Sequence, residues 1–241
     1  TPAEFSSPNF NDRPKDIVPN ILVIHYTGMQ SLDQALQRLM SSNSQVSAHY
    51  LISRKGEIFK LVSEEKRAWH AGVSYWRGET DINSYSIGIE LENPGHEFGY
   101  SKFPKGQMSV LTELCVEVIN KYSISPENIV GHSDIAPERK KDPGEKFPWK
   151  YLSTKKIGLW HDLNKKKILN KRNKKITKLE KNIFIKNLFK IGYPRIIKRN
   201  EKKFHKILTI AFQRRFRQEL INGVIDKECL EISNNLKNKF K

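Results

Sequence analysis

Pro137 and Pro143 keep the stretch Gly131-His-Ser-Asp-Ile-Ala-Pro-Glu-Arg-Lys-Lys-Asp-Pro-Gly144 from folding as one helix, so His132 and Asp142 must be displayed from a loop. A histidine and a carboxylate on so stiff a segment are a candidate pair of metal ligands. A third candidate, His25, ends the apolar run Ile21-Leu22-Val23-Ile24. Two imidazoles and one carboxylate leave a fourth tetrahedral position open, which is the coordination of a catalytic zinc rather than a structural one.

The chain has 241 residues, 37% of them hydrophobic and 29% charged, so a soluble folded protein of one large or two smaller domains is expected. No apolar run reaches the roughly 18 residues of a membrane-spanning helix. The opening Thr1 is read as a trimmed end, from which any export signal would already be gone. Charge divides the chain. Residues 161–241 hold 24 of the 43 basic and 7 of the 26 acidic side chains, which is the whole excess of +17, while the first 160 residues are neutral. Two units of different kind are therefore expected: residues 1–160, then a Lys- and Asn-rich bridge over 161–181 leading to a helical unit over 182–241.

Periodicity gives the first unit an α/β architecture, a mixed central β-sheet flanked by helices. Residues 1–20 read as an extended arm and Ile21–Ile24 as a central strand covered on both faces. Ser31 can cap a helix through Met40; 46–52 and 57–62 suggest a hairpin around Lys55-Gly56. Ser86–Glu92 alternates, with Ile87, Ile89 and Leu91 on one face and Gly88, Glu90 and Glu92 on the other. Residues 108–122 carry a helical stripe of Leu111, Leu114, Cys115 and Val118, and 128–130 make a short last strand before His132. After residue 182 the apolar residues recur as three short helices around one small core.

Amide hydrolysis at a metal needs an open coordination position, a base and a positive group for the oxyanion. Glu90 and Glu92 share a polar strand face, so spacing alone leaves the base open between them, and Gly88 would leave room for a substrate. Lys140 stands two residues before Asp142, on the same side of an extended segment. Taken singly, a histidine at a strand end, an Asp-Pro-Gly turn and a Lys-Lys pair all have ordinary structural readings.

Together the stretches Leu22-Val-Ile-His-Tyr-Thr27, Val46-Ser-Ala-His-Tyr-Leu-Ile52, Arg54-Lys-Gly-Glu-Ile58, Arg67-Ala-Trp-His-Ala-Gly72, Ser86-Ile-Gly-Ile-Glu-Leu-Glu92, Gly131-His-Ser-Asp-Ile-Ala-Pro137 and Lys140-Lys-Asp-Pro-Gly144 resemble a zinc-dependent N-acetylmuramoyl-L-alanine amidase of the type-2 amidase and peptidoglycan-recognition superfamily. The resemblance covers roughly residues 15–160. It implies one Zn2+ per chain held by His25, His132 and Asp142, Glu90 rather than Glu92 as general base, and Lys140 as the oxyanion-stabilising cation. The implied reaction is hydrolysis of the amide between N-acetylmuramic acid, or its anhydro form, and L-alanine of the stem peptide. Tyr26, His49, Trp69, His70, Arg77 and Asn83 are candidate substrate contacts, while His96, His161 and His205 read as surface.

A non-catalytic recognition module of the same fold is the main alternative, and such modules tend to lack the ligands present here. A cysteine nucleophile is disfavoured because Cys115 sits mid-helix rather than at a helix N-terminus. His132-Ser133-Asp134 is no serine triad, whose members meet across space rather than as chain neighbours. The basic tail raises polyanion binding, but its aromatics fall at core spacing, so no specific nucleic acid is expected. Leu188-Phe-Lys-Ile-Gly-Tyr193, Ala211-Phe-Gln213 and Gly223-Val-Ile-Asp226 resemble a three-helix peptidoglycan-binding domain, which implies attachment to cell-wall polymer and a place in the periplasm or cell envelope rather than in cytoplasmic recycling.

Overall fold

The apolar run from Ile21 is covered on both faces, as its composition requires. The computed structural model describes residues 3–195 and 200–239; residues 1–2 of the expected arm, and 196–199 and 240–241 of the expected helical unit, lie outside the described residues. The strands are β1 (Ala3–Glu4), β2 (Phe10–Asp12), β3 (Ile21–Tyr26), β4 (Tyr50–Ile52), β5 (Ile58–Lys60), β6 (Lys66–Ala68), β7 (Ser86–Leu91) and β8 (Ile129–Gly131). The helices are α1 (Leu32–Met40), α2 (Ile82–Tyr85), α3 (Lys105–Tyr122), α4 (His132–Ile135), α5 (Trp149–Ser153), α6 (Lys165–Leu169), α7 (Lys178–Ile191), α8 (Glu201–Phe216) and α9 (Lys227–Lys237).

Six strands form one mixed sheet in the order β1-β5-β4-β7-β3-β8, with β2 and β6 paired as a separate antiparallel ribbon. Strands β4, β7, β3 and β8 run parallel, while β5 returns antiparallel to β4 as the expected hairpin. The arm is tied down rather than loose. Arg13 donates to the carbonyls of Glu64, Asn83, Ser84 and Ser86 at 2.6 to 3.1 Å.

Alternation along β3 sends Leu22 and Ile24 to one face of the sheet, and Ile21, Val23 and His25 to the other. The first face joins Ile87 and Ile89 under α3, whose stripe of Leu111, Leu114, Cys115 and Val118 is buried. The second face has two covers. Helix α1, capped by Ser31, lays Ala35, Leu36 and Leu39 against Leu51 and Phe59. Helices α7, α8 and α9 lay Phe184, Leu188, Leu208, Phe212 and Leu236 against Ile21, Val23 and Val130. Between the covers, the carboxyl ends of β3 and β7 stay open, the place where open α/β sheets bind ligands.

The three helices form after residue 177, and their buried apolar faces join one cluster with Ile21, Val23 and Val130 of the sheet. The expected bridge 161–181 contains α6 and buries Ile168 in the same cluster. Unfolding should accordingly be one transition. Phe212→Ala, which empties a fully buried site, is expected to cost about 3–5 kcal/mol and to lower a single midpoint followed both by α-helical signal and by tryptophan fluorescence. Two separated transitions would contradict a shared core.

Candidate metal centre

Parallel pairing sets His25 beside Glu90 across β3 and β7, both on the face with two covers. Strand β8 ends next to β3, and the chain turns at once into His132. The loop then returns Asp142 to the same point, where the Ser133 N–H donates to the Asp142 carbonyl at 2.8 Å. His25 Nδ1 lies 2.9 Å from His132 Nδ1, and each lies 3.0 Å from Asp142 Oδ2. All three side chains are buried.

Neighbouring groups decide the protons on both rings. Ser86 donates its hydroxyl to the Ile82 carbonyl at 2.6 Å, so its oxygen accepts from His70 Nε2–H at 3.1 Å. His70 Nδ1 is thereby left as an acceptor for His25 Nε2–H at 3.0 Å. On the other ring, His132 Nε2–H donates to the Ala71 carbonyl at 3.0 Å. Each imidazole therefore spends its one proton on Nε2 and turns a bare Nδ1 lone pair toward the carboxylate. Three acceptors converge with no proton between them. Such an arrangement fits a cation, and the outer hydrogen bonds are the kind that orient metal-ligating histidines.

Charge agrees with this reading. Burial first, and the neighbouring His132 next, push His25 down to about 4, against the opposing pull of Asp142, so its ring is neutral near pH 7. Glu90 moves the other way. Burial, reinforced by the charge of Asp142 and opposed by Lys140, lifts it to about 8. Its Oε2 is buried without a hydrogen-bond partner. Glu92 is different, because its carboxylate accepts from the Arg54 N–H at 2.7 Å. The two acids that spacing could not separate are thus distinct in the folded chain.

A cleft of about 670 Å³ opens over these groups, walled in part by Glu90, Lys140, Tyr26, Trp69 and His70. His49 is not in the wall. It is fully buried, accepts the Gly88 N–H on Nδ1, and points Nε2 at the Lys66 carbonyl. Asn83 also lies behind the cleft, where its Oδ1 accepts the N–H groups of His70 and Ala71. Arg77 is outside the cleft too, its N–H bonded to the Gly192 carbonyl beside the end of α7. Gly88 leaves room for the His70 ring rather than for a substrate: a Cβ there would come within 2.5 Å of that ring.

His96 and His161, expected at the surface, are half-buried. His96 forms part of the cleft, linking Tyr26 Oη at 2.8 Å to Glu145 Oε2 at 3.1 Å while stacked on Tyr100. The turn signal Pro94-Gly95 after β7 was the available sign that the chain bends back there. Arg139 was also missed. Its guanidinium donates to the carbonyls of Ala71 and Val73, clamping the segment that orients His132. Cys115 and Cys229 are buried and unpaired, which leaves no thiol at the cleft.

The N-acetylmuramoyl-L-alanine amidase family model (Amidase_2) matches residues 14–145, a segment that contains all three converging side chains. N-acetylmuramoyl-L-alanine amidase AmiD of Escherichia coli K12 is 37% identical over 235 residues, covering 91% of this chain and 83% of the relative. Its solved complex with anhydro-N-acetylmuramic acid-L-Ala-D-gamma-Glu-L-Lys superposes with a TM-score of 0.81 at 34% identity, over 96% of this chain and 98% of that one. AmpDh3 of Pseudomonas aeruginosa gives 0.80 at 32% identity over 92% of both chains. These likenesses extend through the C-terminal helices as well as the sheet. With sequence, fold and the buried His-His-Asp group in agreement, the chain belongs to the N-acetylmuramoyl-L-alanine amidase family of peptidoglycan hydrolases.

Proposed function

We propose that this chain is a zinc amidase that cleaves the bond between N-acetylmuramic acid, its anhydro form included, and L-alanine of the stem peptide. One observation carries the reading: His25 Nδ1, His132 Nδ1 and Asp142 Oδ2 meet as three acceptors beside a partnerless Glu90. The anhydromuropeptide named in the AmiD complex supports the substrate class. A zinc ion bound by the three side chains would supply Lewis acidity toward water and the scissile carbonyl.

The protein's own groups would do the rest. Glu90, whose Oε2 has no hydrogen-bond partner among the described residues, takes a proton there from the attacking water and hands it to the departing L-alanine nitrogen. The Lys140 ammonium, on the cleft wall and close enough to weigh on both Glu90 and His25, stabilises the oxyanion. Tyr26 and Trp69 line the space for the glycopeptide. His70 lines the cleft and holds His25 in place.

Adding zinc to metal-free protein should raise its melting midpoint, by an amount corresponding to roughly 2.7 kcal/mol at a hundredfold excess over Kd. His25→Ala should abolish that shift. Elemental analysis and calorimetry check both, and an unchanged midpoint in the wild type would remove zinc from the scheme.

Glu90→Gln and Lys140→Met should each retain zinc and lose turnover on muropeptide, by about 10²–10⁴-fold and 10²–10³-fold respectively. The Glu90 carboxyl also fixes a sign in pH. Because folding raises it to about 8, its contribution to stability is complete below the ordinary carboxyl range and is lost as pH climbs through 8. Metal-free Glu90→Gln should therefore match the wild type at about pH 4 and exceed it in stability at about pH 8. Equal stability at both would contradict a desolvated acid.

The excess charge of the last third supports a second role for residues 182–241, attachment to cell-wall polymer in the periplasm or envelope. Lys186 and Lys190 of α7 and Lys202 and Lys203 of α8 are exposed. Replacing these four lysines by glutamine should reduce pelleting with insoluble sacculi at low salt while soluble muropeptide is still cleaved. Undiminished pelleting would count against the role.

A further inference from the structure

The sequence His132-Ser133-Asp134 is used only in part by the reaction, and Asp134 is left over. Its carboxylate is 1% exposed and is met by groups from three directions. Oδ2 accepts the Gly131 N–H at 2.8 Å and an Arg215 Nη1–H at 2.6 Å, and Oδ1 accepts the Tyr193 hydroxyl at 2.7 Å. Gly131 immediately precedes His132. Arg215 belongs to α8 and Tyr193 follows α7, so both come from the C-terminal helices. The guanidinium is itself fixed: Nη2 donates to the Ile129 carbonyl of β8 at 2.9 Å, and its plane lies over Trp149 at 4.2 Å.

We infer that Arg215 and Tyr193 are positioning residues for the metal centre, acting through Asp134. The inference rests on the metal reading of His25, His132 and Asp142. The N–H groups on either side of His132 are both pinned. Ser133 N–H is held by the Asp142 carbonyl, and Gly131 N–H by the Asp134 carboxylate. The first link ties one ligand to the other. The second is only as rigid as Asp134, and Asp134 takes its orientation from Arg215 and Tyr193. The C-terminal helices thereby set the backbone from which His132 Nδ1 is aimed, in addition to covering the sheet. Released from them, the carboxylate keeps its bond to Gly131 but loses the two partners that stop it turning.

Full-length Tyr193→Phe and Arg215→Lys test this, with Leu236→Ala as a control. Leu236 is fully buried in the same shared core and belongs to α9, away from the Asp134 hydrogen bonds. Tyr193→Phe removes one hydroxyl and keeps the ring, so it remains informative if Arg215→Lys fails to fold. Zinc affinity is read by competition with a chelator, and exchange of the Gly131 amide is read in metal-free protein. Tyr193→Phe should weaken zinc binding by about tenfold or more and speed Gly131 exchange, whereas Leu236→Ala, compared at equal loss of melting midpoint, changes neither beyond its effect on global stability. Zinc affinity and Gly131 exchange in Tyr193→Phe that match the control at equal stability would overturn the inference. A wild type that fails to hold zinc would instead sink the metal reading, and Gly131 exchange in the metal-free proteins would still decide whether the lock exists.

Discussion

Three lone pairs face one another at about 3 Å in the interior of this protein, and the surrounding structure is arranged so that no proton can come between them. That convergence would be repulsive without a cation. It is maintained because each imidazole has its single N–H occupied elsewhere, one by the His70–Ser86 relay and the other by the Ala71 carbonyl. Those outer partners are themselves held. Asn83 fixes the backbone of His70 and Ala71, and Arg139 shares the Ala71 carbonyl with His132. Much of the polar architecture on this face can be traced outward from the need to keep two nitrogens bare.

The acid beside this group depends on the opposite condition. Glu90 has no hydrogen-bond donor at Oε2, so burial acts on it unopposed except by Lys140. A donor aimed at it would lower its basicity and immobilise it. Glu92, two residues on, shows what such a donor does, since the Arg54 N–H has turned that acid into part of the framework. The difference between the two carboxylates here is one backbone amide.

Much of this was legible in the sequence. The alternation of Ser86–Glu92 located β7 and put Glu90 on its polar face; the two prolines kept Asp142 on a loop, whereas His132, expected on the same loop, opens the short helix α4. Linear spacing could not give the duties of residues that act through distant partners. His70, expected as a substrate contact, lines the cleft and also meets His25, 45 positions away. His49, Arg77 and Asn83 carried the right chemical groups and point elsewhere. The charge break near residue 160 was real, yet apolar contacts ignore it, because a helix can be basic outside and still complete a neighbouring core within.

The cleft is walled by two segments of independent origin, α1 through Ala35, Arg38 and Leu39, and the loop over 94–98 that follows β7. Its breadth is therefore governed by how those two walls are spaced, while His25 and Glu90 stand on strands beneath. Lengthening α1 or reshaping that loop would admit a bulkier or slimmer glycan without moving either strand, so selectivity and chemistry are free to diverge along separate lines of descent.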